Sequence, residues 1–214
     1  LIITNLGANF EYAPWDIGAI AIGAHAAGET AIRDAVMGKI LEVLNATVDP
    51  DDYDLLGLAG AVWAAGVTGT TLDPTTGKYA SIDTTAGLAA KLVSYQHTDG
   101  SWGSGTTEDP VGSWQEAQTT AFAILALDAV DPVTYKMNIA KGAAFLRSLQ
   151  QTDGEILSYV GAAWNVNGSN EVHAEALTAL STVAASTVYV NAAWNGTTAG
   201  ADPDGAGPAT AYGW

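Results

Sequence analysis

The chain contains no cysteine. That removes thiolate nucleophiles, thioesters, cysteine-ligated zinc and disulfides together, without deciding between a reducing and an oxidising compartment. Positive charge is also scarce: seven Lys and Arg stand against 23 Asp and Glu in 214 residues, a formal charge of −16. A surface of that sign repels phosphate backbones and anionic lipid, so neither nucleic acid nor a membrane surface is an expected partner. Gly, Thr, Asp or Glu interrupts every apolar run before it reaches the ~20 residues of a spanning helix, and no membrane insertion is expected. No P-loop, dinucleotide fingerprint, nucleophile elbow or zinc-protease helix occurs. His25 and His97 have no partner at ligand spacing. His173 lies two residues from both Glu171 and Glu175, a spacing that a helix does not gather on one side, so no metal site is expected.

What is present describes a compact domain. Apolar residues make up 48% and charged ones 14%, enough to bury one substantial core. The first residue, Leu1, follows no basic or signal-type segment, which reads as a mature product or a segment of something longer. Comparison of the chain with itself is the most informative step. Lys91 to Gly100 aligns with Phe145 to Gly154, Gln96 on Gln150, at an offset of 54 residues. A glycine-bearing loop follows each Asp-Gly, and then apolar runs align again, Gln118 to Leu127 with Glu171 to Leu180. Two earlier runs, Trp15 to Ile22 and Tyr53 to Gly60, fit the same half of the unit. The expectation is an all-α fold of helical hairpin repeats. Inner helices are expected near 15–27, 51–66, 113–129 and 170–184, and outer ones near 30–46, 82–96 and 134–151.

The inner runs are apolar nearly all round and rich in Ala and Gly, as close packing on several sides requires. The outer runs are amphipathic, with Ile32, Val36, Ile40 and Val43 forming one stripe. Asp49-Pro50 reads as an N-cap with a first-turn proline, and Asp131-Pro132 as a break. In Asp99-Gly100 and Asp153-Gly154 the glycine can take positive φ and stop the outer helix. No sheet is expected before residue 186. From there the pattern changes. Thr187 to Ala192 is strand-like, and Asn195 to Gly213 is rich in Gly, Pro, Asp and Thr without helical period. The division expected is a repeat domain over 1–185 and a short β-like or extended tail over 186–214.

Gln96-His97-Thr98-Asp99-Gly100-Ser101-Trp102-Gly103 and Ser148-Leu149-Gln150-Gln151-Thr152-Asp153-Gly154 resemble the QW repeats of the squalene–hopene cyclase and prenyltransferase superfamily. The resemblance covers about 82–184 through motifs and 12–66 through helix pattern alone. It implies an α/α toroid, with inner helices around a central funnel; a complete ring holds about six hairpins, so with four inner and three outer helices either the ring is partial, or residues upstream of Leu1 belong to it, or neighbouring copies close it. It implies a structural role for Gln96, Asp99, Gly100, Trp102, Gln150, Asp153 and Gly154, with Gln bonding across helix ends and Trp covering the turn. The second copy departs, with Glu155-Ile156 where Ser-Trp would stand. The tail resembles the opening of secreted parallel β-helix domains, a combination seen in large surface proteins, which implies an extracellular or cell-surface location.

Four sets of residues could carry chemistry or modification. Asp49-Pro50-Asp51-Asp52 matches the cyclase DxDD signature, in which Asp51 would be the proton donor. Tyr53-Asp54 follows it, and the aromatic content is only 8%, whereas alkene protonation needs a dry aromatic cavity. A helix start accounts for the same residues. Asp16, Asp54, Gln118 and Glu171 fall at equivalent positions at the starts of the inner helices, forming a polar ring at one funnel mouth with Glu116, His173 and Glu175 nearby and Trp15 and Trp114 as stacking faces. Glu116, Glu171 and Glu175 are thus the remaining catalytic candidates, for carbohydrate chemistry or cation binding, although acids favour helix N-termini in any case. Asn45, Asn167 and Asn195 head glycosylation sequons. Asp73, Asp83, Asp202 and Asp204 lie in turn-rich segments where at most weak calcium binding is expected; no other cofactor is. The function expected first is a non-catalytic structural or adhesive module of a surface protein, partnered by itself, by other surface proteins or by glycans. The alternatives are a cyclase-like or glycan-processing enzyme using the acidic funnel, and a small-ligand-binding toroid.

Overall fold

The computed structural model describes residues 14–46, 54–104, 114–152, 154–158 and 170–193. Seven helices and one small sheet lie within them: α1 Pro14–Ala26, α2 Thr30–Ala46, α3 Asp54–Thr68, α4 Thr85–Ser94, β1 Trp102–Ser104, β2 Trp114–Glu116, α5 Ala117–Val130, α6 Lys136–Ser148 and α7 Asn170–Ala193. The protein is mostly helical, as the apolar periodicity anticipates.

Helices α1, α3, α5 and α7 pack in that order as a central row, and α2, α4 and α6 each lie against their own central neighbour. Small residues let the central backbones approach. A Cβ on Gly60 of α3 would overlap the Trp15 backbone of α1, and one on Gly66 would sit 2.9 Å from the Ala129 side chain of α5. The two middle helices of the row are buried almost all round, Leu55 to Val62 of α3 and Thr119 to Leu127 of α5 without interruption. Trp63 meets Phe122 edge to face at 5.5 Å between them, the geometry that aromatic quadrupoles favour. The flanking helices bury one stripe each: Val36, Met37, Ile40 and Leu44 in α2, Leu88, Ala89 and Leu92 in α4, Ile139, Gly142, Ala143, Phe145 and Leu146 in α6. In α2 the buried stripe is therefore centred on Met37 and Leu44, and the expected members Ile32 and Val43 lie at its margin.

Helix ends follow local chemistry. Gly28, at φ +75°, closes α1, with Glu29 N–H donating to Ala24 O (2.8 Å) and Gly28 N–H to His25 O (3.1 Å), the doubly bonded glycine stop that turns the chain directly into α2. Thr84 caps α4 by accepting from Gly87 N–H at 3.0 Å. Asp131 accepts from the N–H groups of Val133 and Thr134, both at 3.0 Å, and from the Thr134 hydroxyl. These bonds to the ionised form lower its pKa and fix the corner between α5 and α6.

Two expectations are corrected. Residues 187–192 are helical, because α7 continues to Ala193. The β-branched residues there cost at most ~0.7 kcal/mol each in helix propensity, and extending a helix already nucleated is far easier than starting a separate strand. A sheet does precede residue 186: β1 and β2 pair antiparallel, Trp102 opposite Glu116 and Ser104 opposite Trp114, so residues 114–116 enter α5 as a strand rather than as its first turn. Outer helices α4 and α6 are also shorter than their apolar patterns, the residues beyond them forming turns. Asp49 to Asp52, with the DxDD candidate Asp51, lie outside the described residues, as do Asp153, Asn167, Asn195, Asp202 and Asp204.

Candidate functional site

Two places in the fold gather the polar residues singled out above. The first is the turn that leaves each outer helix. After α4, His97 N–H donates to Ser101 O (2.9 Å) and Gly100 N–H to His97 O (3.0 Å); after α6, Gln151 N–H donates to Glu155 O (2.7 Å) and Gly154 N–H to Gln151 O (2.9 Å). Gly100 and Gly154 have φ of +93° and +94°, a conformation that favours glycine. In each turn the leading glutamine reaches over it, Gln96 Nε2 to Gly100 O at 2.9 Å and Gln150 Nε2 to Gly154 O at 3.2 Å.

The residue after each turn anchors the chain to the next central helix. Trp102 N–H donates to the Thr120 hydroxyl at 2.9 Å, and Ile156 N–H to His173 Nδ1 at 3.2 Å. Thr120 and His173 occupy matching positions in the aligned apolar runs. Trp102 and Ile156 are both fully buried, so an aliphatic side chain fills the place of the expected aromatic. Trp102 additionally donates its indole N–H to Leu92 O of α4 at 2.8 Å, while Asp99 accepts from Ser101 N–H and hydroxyl at 3.0 and 2.7 Å. Neither Thr120 nor Asn138, which exchanges two hydrogen bonds with the Gln96 carboxamide at 2.7 and 2.9 Å, was visible as a motif residue. A hydroxyl inside an apolar run was the available signal for Thr120; for Asn138 the sequence carries none.

The second place lies at the N-terminal ends of central helices. The Glu175 carboxyl is pushed up to about 7, chiefly because burial penalises its charge; the carboxylates of Glu171, Asp16 and Glu116 add to the rise, and a hydrogen bond with Gln118 opposes it. Side chains at the starts of α1, α5 and α7 therefore share one field, which requires these three helices to begin at the same end. Oxygen Oε2 of Glu175 is buried without a hydrogen-bond partner, a cost that the neutral form reduces. Glu116 is buried and accepts from the Thr119 hydroxyl at 2.6 Å. Asp16 and Glu171 are exposed, and Gln118 is half-buried. Asp54 opens α3, and its side chain is outside the described set, as is that of Trp114. Trp15 is half-buried, with its backbone against Gly60.

The remaining candidates separate from both places. Asn45 is half-buried at the end of α2, where its Oδ1 accepts from Thr75 and Thr76 N–H at 2.8 and 3.0 Å, a clasp on the segment between α3 and α4. Asp73 and Asp83 are exposed in the segment between α3 and α4. Among the described residues no group of three or more His, Asp or Glu could hold a metal ion, and no helix is long and apolar enough to cross a membrane. Comparison with family profiles, curated proteins and solved structures finds no match to the chain.

Proposed function

We propose that the chain is a non-catalytic module of an extracellular or cell-surface protein, a partial α/α toroid of helical hairpins that joins and presents neighbouring segments rather than transforming a substrate. The observation that carries this reading is the burial of the two middle helices: from Thr119 to Leu127, α5 has no solvent-facing side, and Trp63 of α3 meets its Phe122 edge to face, packing that supports a structural role for the row. The shared turn geometry supports it too, since its polar groups bond to backbone and hold helices together. No cofactor enters this reading. Assay of the purified protein against polyprenes and a panel of oligosaccharides tests it: a folded protein with no turnover is expected, and turnover of either class overturns it.

Glu175 favours a second reading, an acid catalyst of glycan processing. A carboxyl pushed up to about 7 beside the side chains of Glu171, Asp16 and Glu116 has the protonation state of a general acid. Under that reading Glu175→Gln abolishes turnover of an oligosaccharide that the unaltered protein cleaves; under the structural reading there is no turnover to abolish.

A further inference from the structure

The two outer-helix turns share one backbone geometry, and the next central helix receives each through a different kind of group. Trp102 N–H is accepted by the Thr120 hydroxyl of α5, which itself donates to Glu116 O at 2.6 Å. A hydroxyl accepts and donates at every pH that a folded protein tolerates. Ile156 N–H is accepted by Nδ1 of His173 in α7 at 3.2 Å. An imidazole nitrogen accepts only while it carries no proton, so this bond fixes the neutral ring with its hydrogen on Nε2.

Cover over the turns differs as well. A Cβ added at Gly100 would overlap the Lys141 carbonyl, because α6 lies directly on the first turn, whereas one added at Gly154 would meet nothing within 4 Å. Gln96 exchanges hydrogen bonds with Asn138 of α6, and Gln150 is exposed. The first turn is therefore held both by an outer helix and by the central row. The second is held through residues 156–158: Leu157 N–H donates to Leu149 O at 3.2 Å, Ser158 O accepts from Ala117 N–H of α5 at 2.8 Å, and Ile156 N–H reaches His173. Ile156 is fully buried, so water cannot take over its amide.

An imidazolium carries a hydrogen on both nitrogens. At His173 the Nδ1–H would then point at the Ile156 N–H, two donors facing each other, and a buried amide without an acceptor is costly. Charge surrounds the ring. Among the described residues, Glu171 and Glu175 flank it on α7, Glu155 precedes Ile156 in the turn, Glu116 and Asp16 stand at the starts of α5 and α1 with Asp128 toward the other end of α5, and α6, the other helix packed on α7, carries Lys136, Lys141 and Arg147. Carboxylates can offset the charge of an imidazolium. They do not restore the lost acceptor, which depends only on the atom that holds the hydrogen.

We propose that His173 is a proton-operated latch: the neutral ring holds the Gln150–Ile156 turn on α7, and protonation releases that turn while the Trp102–Thr120 joint stays closed. Acid thereby loosens the joint between α6 and α7 and spares the one between α4 and α5.

Nuclear magnetic resonance of the full chain tests the latch. Imidazole nitrogen shifts should show the Nε2–H tautomer of His173 while the ring is neutral. As the same shifts report its protonation, the protection of the Ile156 amide against hydrogen exchange, corrected for the intrinsic effect of pH, should fall about three- to tenfold relative to that of Trp102. In His173→Asn, whose Oδ1 stands where Nδ1 was and does not titrate, that ratio should stay constant; in Glu175→Gln, which removes the neighbouring titration, the fall should persist. An Nδ1–H tautomer overturns the proposal, as does protection of Ile156 that ignores the ring's protonation, or a fall that persists in His173→Asn and disappears in Glu175→Gln. The tautomer and the protection of Ile156 are read on the unaltered chain, so they decide the matter even where a variant does not fold.

Discussion

The turn after α4 and the turn after α6 are the same piece of backbone in two settings. Each carries a glutamine, a glycine at positive φ and a buried apolar side chain anchored to the next central helix. The first also carries a neighbouring outer helix, an indole hydrogen bond and an Asp99–Ser101 clasp. Backbone geometry is therefore set locally, by the glycine and the amide bonds, while the energy invested in each turn depends on what packs over it. Substitutions at matched positions should separate the two contributions.

The largest difference is expected at the buried anchor. Trp102→Ala removes a fully buried ring together with its bond to Leu92 O and should cost about 4–5 kcal/mol, against about 2–3 kcal/mol for Ile156→Ala. Urea unfolding of the two variants measures both, and equal losses would show that the indole bond and ring add nothing to the anchor. At the glycines the backbone cost is shared and the steric one is not. Gly154→Ala should cost about 1 kcal/mol for its positive φ, and Gly100→Ala about 2–4 kcal/mol, because α6 must also move off the added methyl. At the glutamines, Gln96→Ala should cost about 1–2 kcal/mol by leaving the Asn138 amide group unpaired in a half-buried place, and Gln150→Ala should stay within ~0.5 kcal/mol, as exposed positions do.

The acid cluster gives a smaller effect with a distinct sign. In the folded chain Glu175 titrates near 7, against an ordinary value of 4.5, so between those values the folded state holds the extra proton. The stabilisation is complete below about pH 4.5 and disappears as pH climbs through 7. Glu175→Gln, a mimic of the neutral acid, should leave stability unchanged at pH 4.5 and raise it by about 1 kcal/mol at pH 8, a figure discounted from the full shift because the group is partly exposed. A stability difference that does not change with pH would place the carboxyl in water.

Most of the fold was legible because its signals are periodic or punctuated. The self-alignment places Gln96 on Gln150, and the apolar runs with Asp131-Pro132 place the helices to within a few residues. Thr187 to Ala192 misled because β-branched residues suggest a strand, and a six-residue window does not show that α7 is already running when it reaches them. The small sheet was hidden by Trp114 to Glu116, which read equally as a first helical turn. Within the candidate site, the equivalence of Asp16, Gln118 and Glu171 was readable as spacing. The raised pKa of Glu175 was not, because it comes from desolvation, and desolvation depends on which neighbours close over the side chain. The contrast between Gly100 and Gly154 was likewise invisible, since both sit in the same Thr-Asp-Gly tripeptide and differ only in what lies above them.

Amide hydrogen exchange tests the central claim most directly, because it reads both turns in one unaltered molecule. The account predicts that residues 96–102, under α6, are strongly protected and that residues 150–157 exchange faster. Equal protection of the two turns would contradict the account.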